Sequence, residues 1–324
     1  MSSGNTARKL RSLTGKLSRL PAFRALNERM VFPMMLPRGK PEPTHAPIFI
    51  VGAPRSGSTL LYQLLTNCYD FGYISNLHCT LYGAPQLVER CVRGSDFHPP
   101  SDNFRSDTGQ TEGMKGPCEC NAYWYLFFPR TPCYVEVKDM PPEKLRQLEQ
   151  SVRGLIAAAR KPVVFKTQYH SMRLLPLAHA FPDAVFLVTV RDELDNAHSL
   201  LECRLKRYND YSQWMFYDTP DVEELKRLNP GQQVIRYLRT TEDIIQRHSR
   251  IIGQERFRWV NYEALCRDPR SVLDEVAAYL KSRTIECSPR GDVPPGFEAR
   301  KTVRIDPQLY AQMAEYVRAN PAPA

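Results

Sequence analysis

The sequence predicts an α/β protein, a single domain with a central parallel β-sheet flanked by helices. Two observations lead there. Short apolar, β-branched runs at residues 47–51, 161–166 and 184–190 each give way to a helical pattern, the rhythm of strands joined by covering helices. Each run also ends at or just before a cation, and in parallel sheets ligands bind beyond the carboxyl ends of the strands.

The 324 residues are 42% hydrophobic and 24% charged, enough to bury a core and outside the disordered and collagen-like classes. The longest apolar runs are strand-sized, so no bilayer-crossing helix is expected. The net charge of +9 is uneven. Residues 1–46 carry nine Lys or Arg against two acids, which leaves a body near neutrality. A near-neutral body argues against a nucleic-acid partner and points to a few placed cations. Nine cysteines, an odd number without a zinc-type spacing, predict reduced thiols, no metal site and a cytoplasmic setting.

Residues 1–46 read as a basic arm. Leu10, Leu13, Leu17, Leu20, Phe23 and Leu26 recur at helical spacing with Arg and Lys between them, and a Pro-rich linker follows over residues 33–47. This arm lacks the apolar core of a secretory signal. It is expected to dock on its own body, on a second subunit or on an anionic membrane surface, and its composition also fits an organelle presequence. The folded domain is expected to span 47–324.

Pro47-Ile-Phe-Ile-Val51 predicts the first strand, Gly52-Ala-Pro-Arg-Ser-Gly-Ser-Thr59 a loop, and Leu60-Leu-Tyr-Gln-Leu-Leu65 a helix. Loop amides and a helix N-terminus converge in such a unit on an anion. The loop follows the G-x-x-x-x-G-K-[ST] template except that Ser58 replaces the lysine, while Arg55 stands inside the loop. Without that lysine ATP hydrolysis is disfavoured, although an ATP-dependent phosphotransferase with Asp192 as magnesium ligand, or a non-catalytic nucleotide-binding module, stays open. Residues 161–166 and 184–190 predict two further strands ending near Lys166 and Arg191, with a helix at 172–181 between them. Three cations on one rim suggest a second anion contact.

The loop at 53–61 resembles the 5′-phosphosulfate loop of sulfotransferases that use 3′-phosphoadenosine 5′-phosphosulfate (PAPS), closest to the tyrosylprotein and bacterial branches. Val188-Thr-Val-Arg-Asp192 with Ser199 resembles their 3′-phosphate motif, and Phe257-Arg-Trp-Val-Asn-Tyr-Glu-Ala-Leu265, followed by a helix to Leu280, their late strand. The resemblance implies a P-loop-like sulfotransferase fold and PAPS as donor. It implies that Arg55, Ser56, Gly57, Ser58 and Thr59 hold the 5′ group and that Arg191 and Ser199 hold the 3′-phosphate. It also implies that Lys166 assists at the bridging oxygen, with Tyr262, Arg300 and Lys301 lining the nucleotide site. The acceptor would be a hydroxyl or amine of a small molecule, carbohydrate or lipid, attacked in line with no metal.

The carboxylate these branches carry about twenty residues after the loop arginine is missing, and Tyr73-Ile-Ser-Asn-Leu-His78 stands there. His78 is therefore one candidate general base. Glu119, heading an aromatic-rich segment expected to be helical and mostly core, is the second; His98 and His170 are further options. The aromatic, irregular residues 208–231 are expected to form an acceptor lid.

Overall fold

The computed structural model describes residues 20–36, 39, 42, 44–95, 97–99, 104, 111–298 and 303–321. Five strands, β1 (Ile48–Gly52), β2 (Gly72–Tyr73), β3 (Val163–Lys166), β4 (Val185–Val190) and β5 (Phe257–Asn261), form one sheet in the order β2-β3-β1-β4-β5. Every pairing is parallel, with Ile50 opposite Lys166 and Gly52 opposite Thr189. Successive strand residues point to opposite faces. Phe49, Val51, Phe165 and Phe186 thus enter one apolar cluster, and Ile48, Ile50, Val164 and Leu187 enter another. Burial on both faces is why these runs are continuously apolar.

The principal helices are α1 (Ser58–Cys68), α2 (Pro85–Val92), α3 (Pro142–Ala159), α4 (Leu174–Ala180), α5 (Glu193–Tyr208), α6 (Pro230–Ile252), α7 (Tyr262–Arg267), α8 (Pro269–Ser282) and α9 (Pro307–Ala319). The helix expected at 172–181 begins at Leu174, after a 3-10 stretch at Gln168–Met172. The segment after Glu119 is helical only over Asn121–Trp124; Cys120, at a φ of 45°, sets its start, and turns replace the helix from Tyr125. Its aromatics Tyr123, Trp124, Phe127 and Phe128 are core, as expected.

The described part of the arm packs on the body. Phe32 meets Phe127 edge-on at 5.6 Å, and the Gly83 amide donates to the Asn27 side chain at 2.9 Å. Helical backbone continues from Pro21 to Met35, so the linker begins later than the prolines suggest. Pro33 lies inside this continuous stretch, just after the π-helical turn Leu26–Val31, and removes one backbone donor from it. Among the described residues no helix is long and apolar enough to cross a membrane, and all nine cysteines are free thiols.

Candidate active site

β1 delivers the chain into the loop at Gly52. There the backbone N–H donates to Ser171 Oγ at 3.1 Å, and Ser171 Oγ donates back to the Gly52 carbonyl at 2.9 Å. Thr189 Oγ1 spends its proton on the Val51 carbonyl at 3.2 Å, so Ser56, 2.7 Å away, is the donor to Thr189. Ser56 is fully buried in this lock. Ser56 is one of the residues expected to hold the 5′ group, and its hydroxyl fixes the loop to β4.

Gly57 caps α1 at a φ of 95°, and a Cβ there would fall 2.2 Å from the Tyr262 ring. The first α1 amide with a backbone partner is that of Leu61, on the Gly57 carbonyl, so the N–H groups of Ser58, Thr59 and Leu60 carry no intrahelical bond. No acidic side chain occupies that first turn. The result is an anion-seeking helix end. Gly57→Ala is expected to weaken adenosine 3′,5′-bisphosphate binding by about tenfold or more, because the methyl must displace Tyr262 and sits at a left-handed φ. Calorimetric titration checks this, and unchanged affinity would detach the loop from the ligand.

The three rim cations are neighbours because β3, β1 and β4 are adjacent. Arg55 holds a left-handed φ of 68°, a strained state for a non-glycine residue. Two contacts hold it: Arg55 Nε donates to Ser199 Oγ at 3.1 Å, and the Arg191 guanidinium donates to the Arg55 carbonyl at 3.2 Å. Arg191 also lies 4.6 Å above the Tyr262 ring, and its buried Nε has no hydrogen-bond partner. Burial above all pushes the Tyr262 phenol up to about 12, so it remains a neutral wall at physiological pH.

Lys166, at the end of β3, is only 4% exposed. Its ammonium donates to Thr59 Oγ1 at 3.1 Å and forms an ion pair with Glu119. Glu119 is anchored on its other side, where its carbonyl accepts from Trp124 Nε1 at 3.0 Å. Arg55, Gly57, Ser58, Thr59, Glu119, Lys166, Arg191 and Tyr262 line one cleft of about 130 Å³, together with Leu60, Gln168 and Phe216.

His78 is not in this cleft. It is buried, receives the Ser75 hydroxyl on Nδ1 at 2.8 Å, and meets Glu89 through Nε2 at 3.1 Å. It borders a separate recess of about 290 Å³ shared with His98, Arg93 and Lys161. The position-based expectation of a base there fails because the chain turns into the 3-10 stretch His78–Leu81 beyond the β2 edge. His170 is also sealed from the cleft, packed 4.2 Å edge-on to Trp124, and burial chiefly holds its pKa well below the usual range. Arg300 and Lys301 lie outside the described residues.

Sequence reasoning overlooked Ser171 and Thr189, which lock the loop, and Gln168, which lines the cleft; Phe216, also on the cleft, belongs to the stretch 208–231 expected to form an acceptor lid. Phe216, in the irregular stretch after α5, carries a φ of 78°. Thr189, at the end of a β-branched run, had a local signal in its hydroxyl; Ser171 had none, since it reaches Gly52 from 119 residues away.

A parallel sheet, a glycine-bounded loop before a helix N-terminus, and cations on three adjacent strand ends define a P-loop-like α/β anion-binding protein. The chain belongs to the sulfotransferase family, whose model matches residues 47–285. It is 26% identical over 273 residues to the omega-hydroxy-beta-dihydromenaquinone-9 sulfotransferases Stf3 of Mycobacterium bovis and Mycobacterium tuberculosis. The match takes in 74% of this chain and 64% of those proteins, so the chain spans under two thirds of the curated relatives' length. The crystal structure of sulfotransferase STF9 from Mycobacterium avium aligns over 99% of this chain and 89% of its own, with a TM-score of 0.50 at 16% identity, a likeness of fold.

Proposed function

We propose that the protein transfers a sulfuryl group from PAPS to a hydroxyl of a small-molecule or lipid acceptor, with Glu119 as general base. The observation that carries this is the convergence of Arg55, Lys166, Arg191 and the free α1 amides on one cleft that also holds Glu119. The unpartnered Arg191 Nε and the unpaired amides fit a ligand anionic at two positions. Such a donor supplies an activated sulfuryl group on a phosphate leaving group.

In this reading the α1 amides, Thr59 and Arg55 hold the 5′ group, and Arg191 with Ser199 holds the 3′-phosphate. Lys166 turns from Glu119 to the bridging oxygen, where negative charge develops as the sulfur–oxygen bond breaks. The freed Glu119 carboxylate takes the acceptor proton as the new oxygen–sulfur bond forms, an in-line exchange dominated by placement and charge. An ATP-dependent phosphotransfer is less well supported, because Asp192 Oδ1 caps α5 by accepting from the Asp195 amide at 2.9 Å.

Thermal stabilisation by adenosine 3′,5′-bisphosphate without magnesium, followed by labelled-sulfate transfer across acceptor classes, tests the reading; stabilisation only by ATP with magnesium would overturn it. Arg191→Ala is expected to weaken bisphosphate binding by about 1.5–3 kcal/mol, the range for a hydrogen bond to a charged group. Equal affinity in wild type and variant would move the 3′ site elsewhere.

The mycobacterial relatives are named for a hydroxylated menaquinone, which supports an apolar acceptor, as does Phe216 at the cleft. An anionic membrane as partner of the arm is favoured by one surface feature. Leu26, Met30 and Met34 recur every four residues at 41%, 58% and 79% exposure, beside Arg24 and Arg29 and next to the basic residues 1–19. Full-length protein is expected to sediment with phosphatidylglycerol vesicles, less so in high salt and not with the M30E/M34E variant. Equal binding by that variant would remove the apolar stripe from the contact, and concentration-dependent dimerisation in its place would assign the stripe to a second copy.

A further inference from the structure

We infer that Cys118 and Cys79 form a reversible oxidation site whose disulfide disables the cleft by displacing Glu119; the effect on turnover, though not the bond itself, rests on the role proposed for Glu119. The two sulfurs are 3.3 Å apart, although the residues are separated by 39 positions. The backbone sets this approach. Segments 74–77 and 114–118 are zipped together by an antiparallel bridge between Ser75 and Pro117 and by hydrogen bonds Cys118 N to Ile74 O, Asn76 N to Gly116 O and Leu77 N to Met114 O, all at 2.7–3.0 Å. Closing the pair to a disulfide, with sulfurs about 2.05 Å apart, requires little more than 1 Å of motion.

Cys118 is the nucleophile of the pair. Cys79 donates its thiol proton to Cys118 Sγ, and the Cys120 amide donates to the same sulfur at 3.3 Å. The Cys79 bond chiefly, then the Cys120 amide and the Lys166 charge, lower the Cys118 pKa against the pull of burial, whereas burial pushes the Cys79 thiol up. A thiol whose pKa is lowered, held 3.3 Å from a second thiol, is the arrangement of redox-sensitive cysteines. Both residues are half-buried, and the burial of their sulfurs restricts the oxidant to a small one.

With a hydroperoxide as oxidant, the Cys118 thiolate attacks the distal peroxide oxygen. The oxygen–oxygen bond breaks, a sulfenic acid forms, and alcohol or water leaves after protonation. The Cys79 sulfur then attacks the sulfenic sulfur, the disulfide forms, and a second water leaves with the Cys79 proton. Two thiols lose two electrons and the peroxide gains them. Glu119 is the next residue after Cys118, so pulling Cys118 toward Cys79 shifts the backbone that carries the carboxylate paired with Lys166.

The test treats the full chain with hydrogen peroxide and maps thiols by mass spectrometry without reduction. A peptide pair joined at Cys79 and Cys118, at least a tenfold fall in transfer, and recovery of both with dithiothreitol are expected. C79S is expected to hold Cys118 as a dimedone-reactive sulfenic acid, and C118S to keep its turnover under the same peroxide. Absence of the joined peptides, a Cys118–Cys120 bond in their place, or equal peroxide sensitivity of C118S would overturn the inference. The mass-spectrometric readout stands apart from the reaction, so a disulfide formed with no transfer in either redox state would count against the proposed function and not against this site.

Discussion

Arg55→Ala is expected to lower sulfuryl transfer by about 10²–10³-fold, the usual cost of removing one preorganised donor from a developing charge. The fold should survive. Arg55 is half-exposed at the mouth of the cleft, its contact to Ser199 is a single bond at 3.1 Å, and its carbonyl can still accept from Arg191 after truncation. Alanine at a φ of 68° inherits the same backbone strain as arginine, so stability should change little. What disappears is the guanidinium that joins the loop to α5 and can fork onto two oxygens of the 5′ group. Steady-state kinetics with a bisphosphate titration check this, and a variant with more than about a tenth of wild-type turnover contradicts the role. Arg55→Lys should recover only part of the loss, because an ammonium cannot take the paired geometry.

Lys166→Met is expected to cost as much in rate and, unlike Arg55→Ala, to cost stability as well. Methionine keeps the stem volume of the buried side chain but removes the ammonium proposed to meet the bridging oxygen and strands the Glu119 carboxylate, itself only 17% exposed. Breaking one side of a buried ion pair typically costs about 3–5 kcal/mol, and the exposure of Glu119 puts this case at the low end. Adding Glu119→Gln should restore part of the melting temperature, since the stranded charge is gone, without restoring turnover. Glu119→Gln alone should also lose transfer, by about 10²-fold or more, as expected for removal of a general base. Full activity in that single variant would refute the base assignment, and a double variant no more stable than Lys166→Met would refute the electrostatic account of the pair.

The loop before α1 and the strand end at Arg191 were legible because each is local. Gly52, Arg55, Gly57, Ser58 and Thr59 fall within eight consecutive residues between a strand and a helix, and Arg191 and Ser199 lie at one strand end and on the helix that follows. The choice among the base candidates His78 and Glu119 was not legible in that way. Position alone pointed to His78, but a base is defined by what it faces, and the chain carries His78 behind β2 to Ser75 and Glu89. Ser56 shows the complementary case. It sits inside the motif, yet its hydroxyl turns inward to Thr189, because a loop residue's neighbours across the sheet are invisible in its own segment.

By itself the sequence determined the sheet, through apolar runs too continuous for one-sided burial, and the glycine-bounded loop before α1, through glycines whose backbone needs lie within a few residues. The placement of Glu119 on Lys166, of Cys118 against Cys79 and of Ser171 beneath Gly52 was decided only by tertiary structure. Each of those contacts joins residues 39 to 119 positions apart. Such pairs are set by strand order and by the packing of loops across strand ends, which no local spacing encodes.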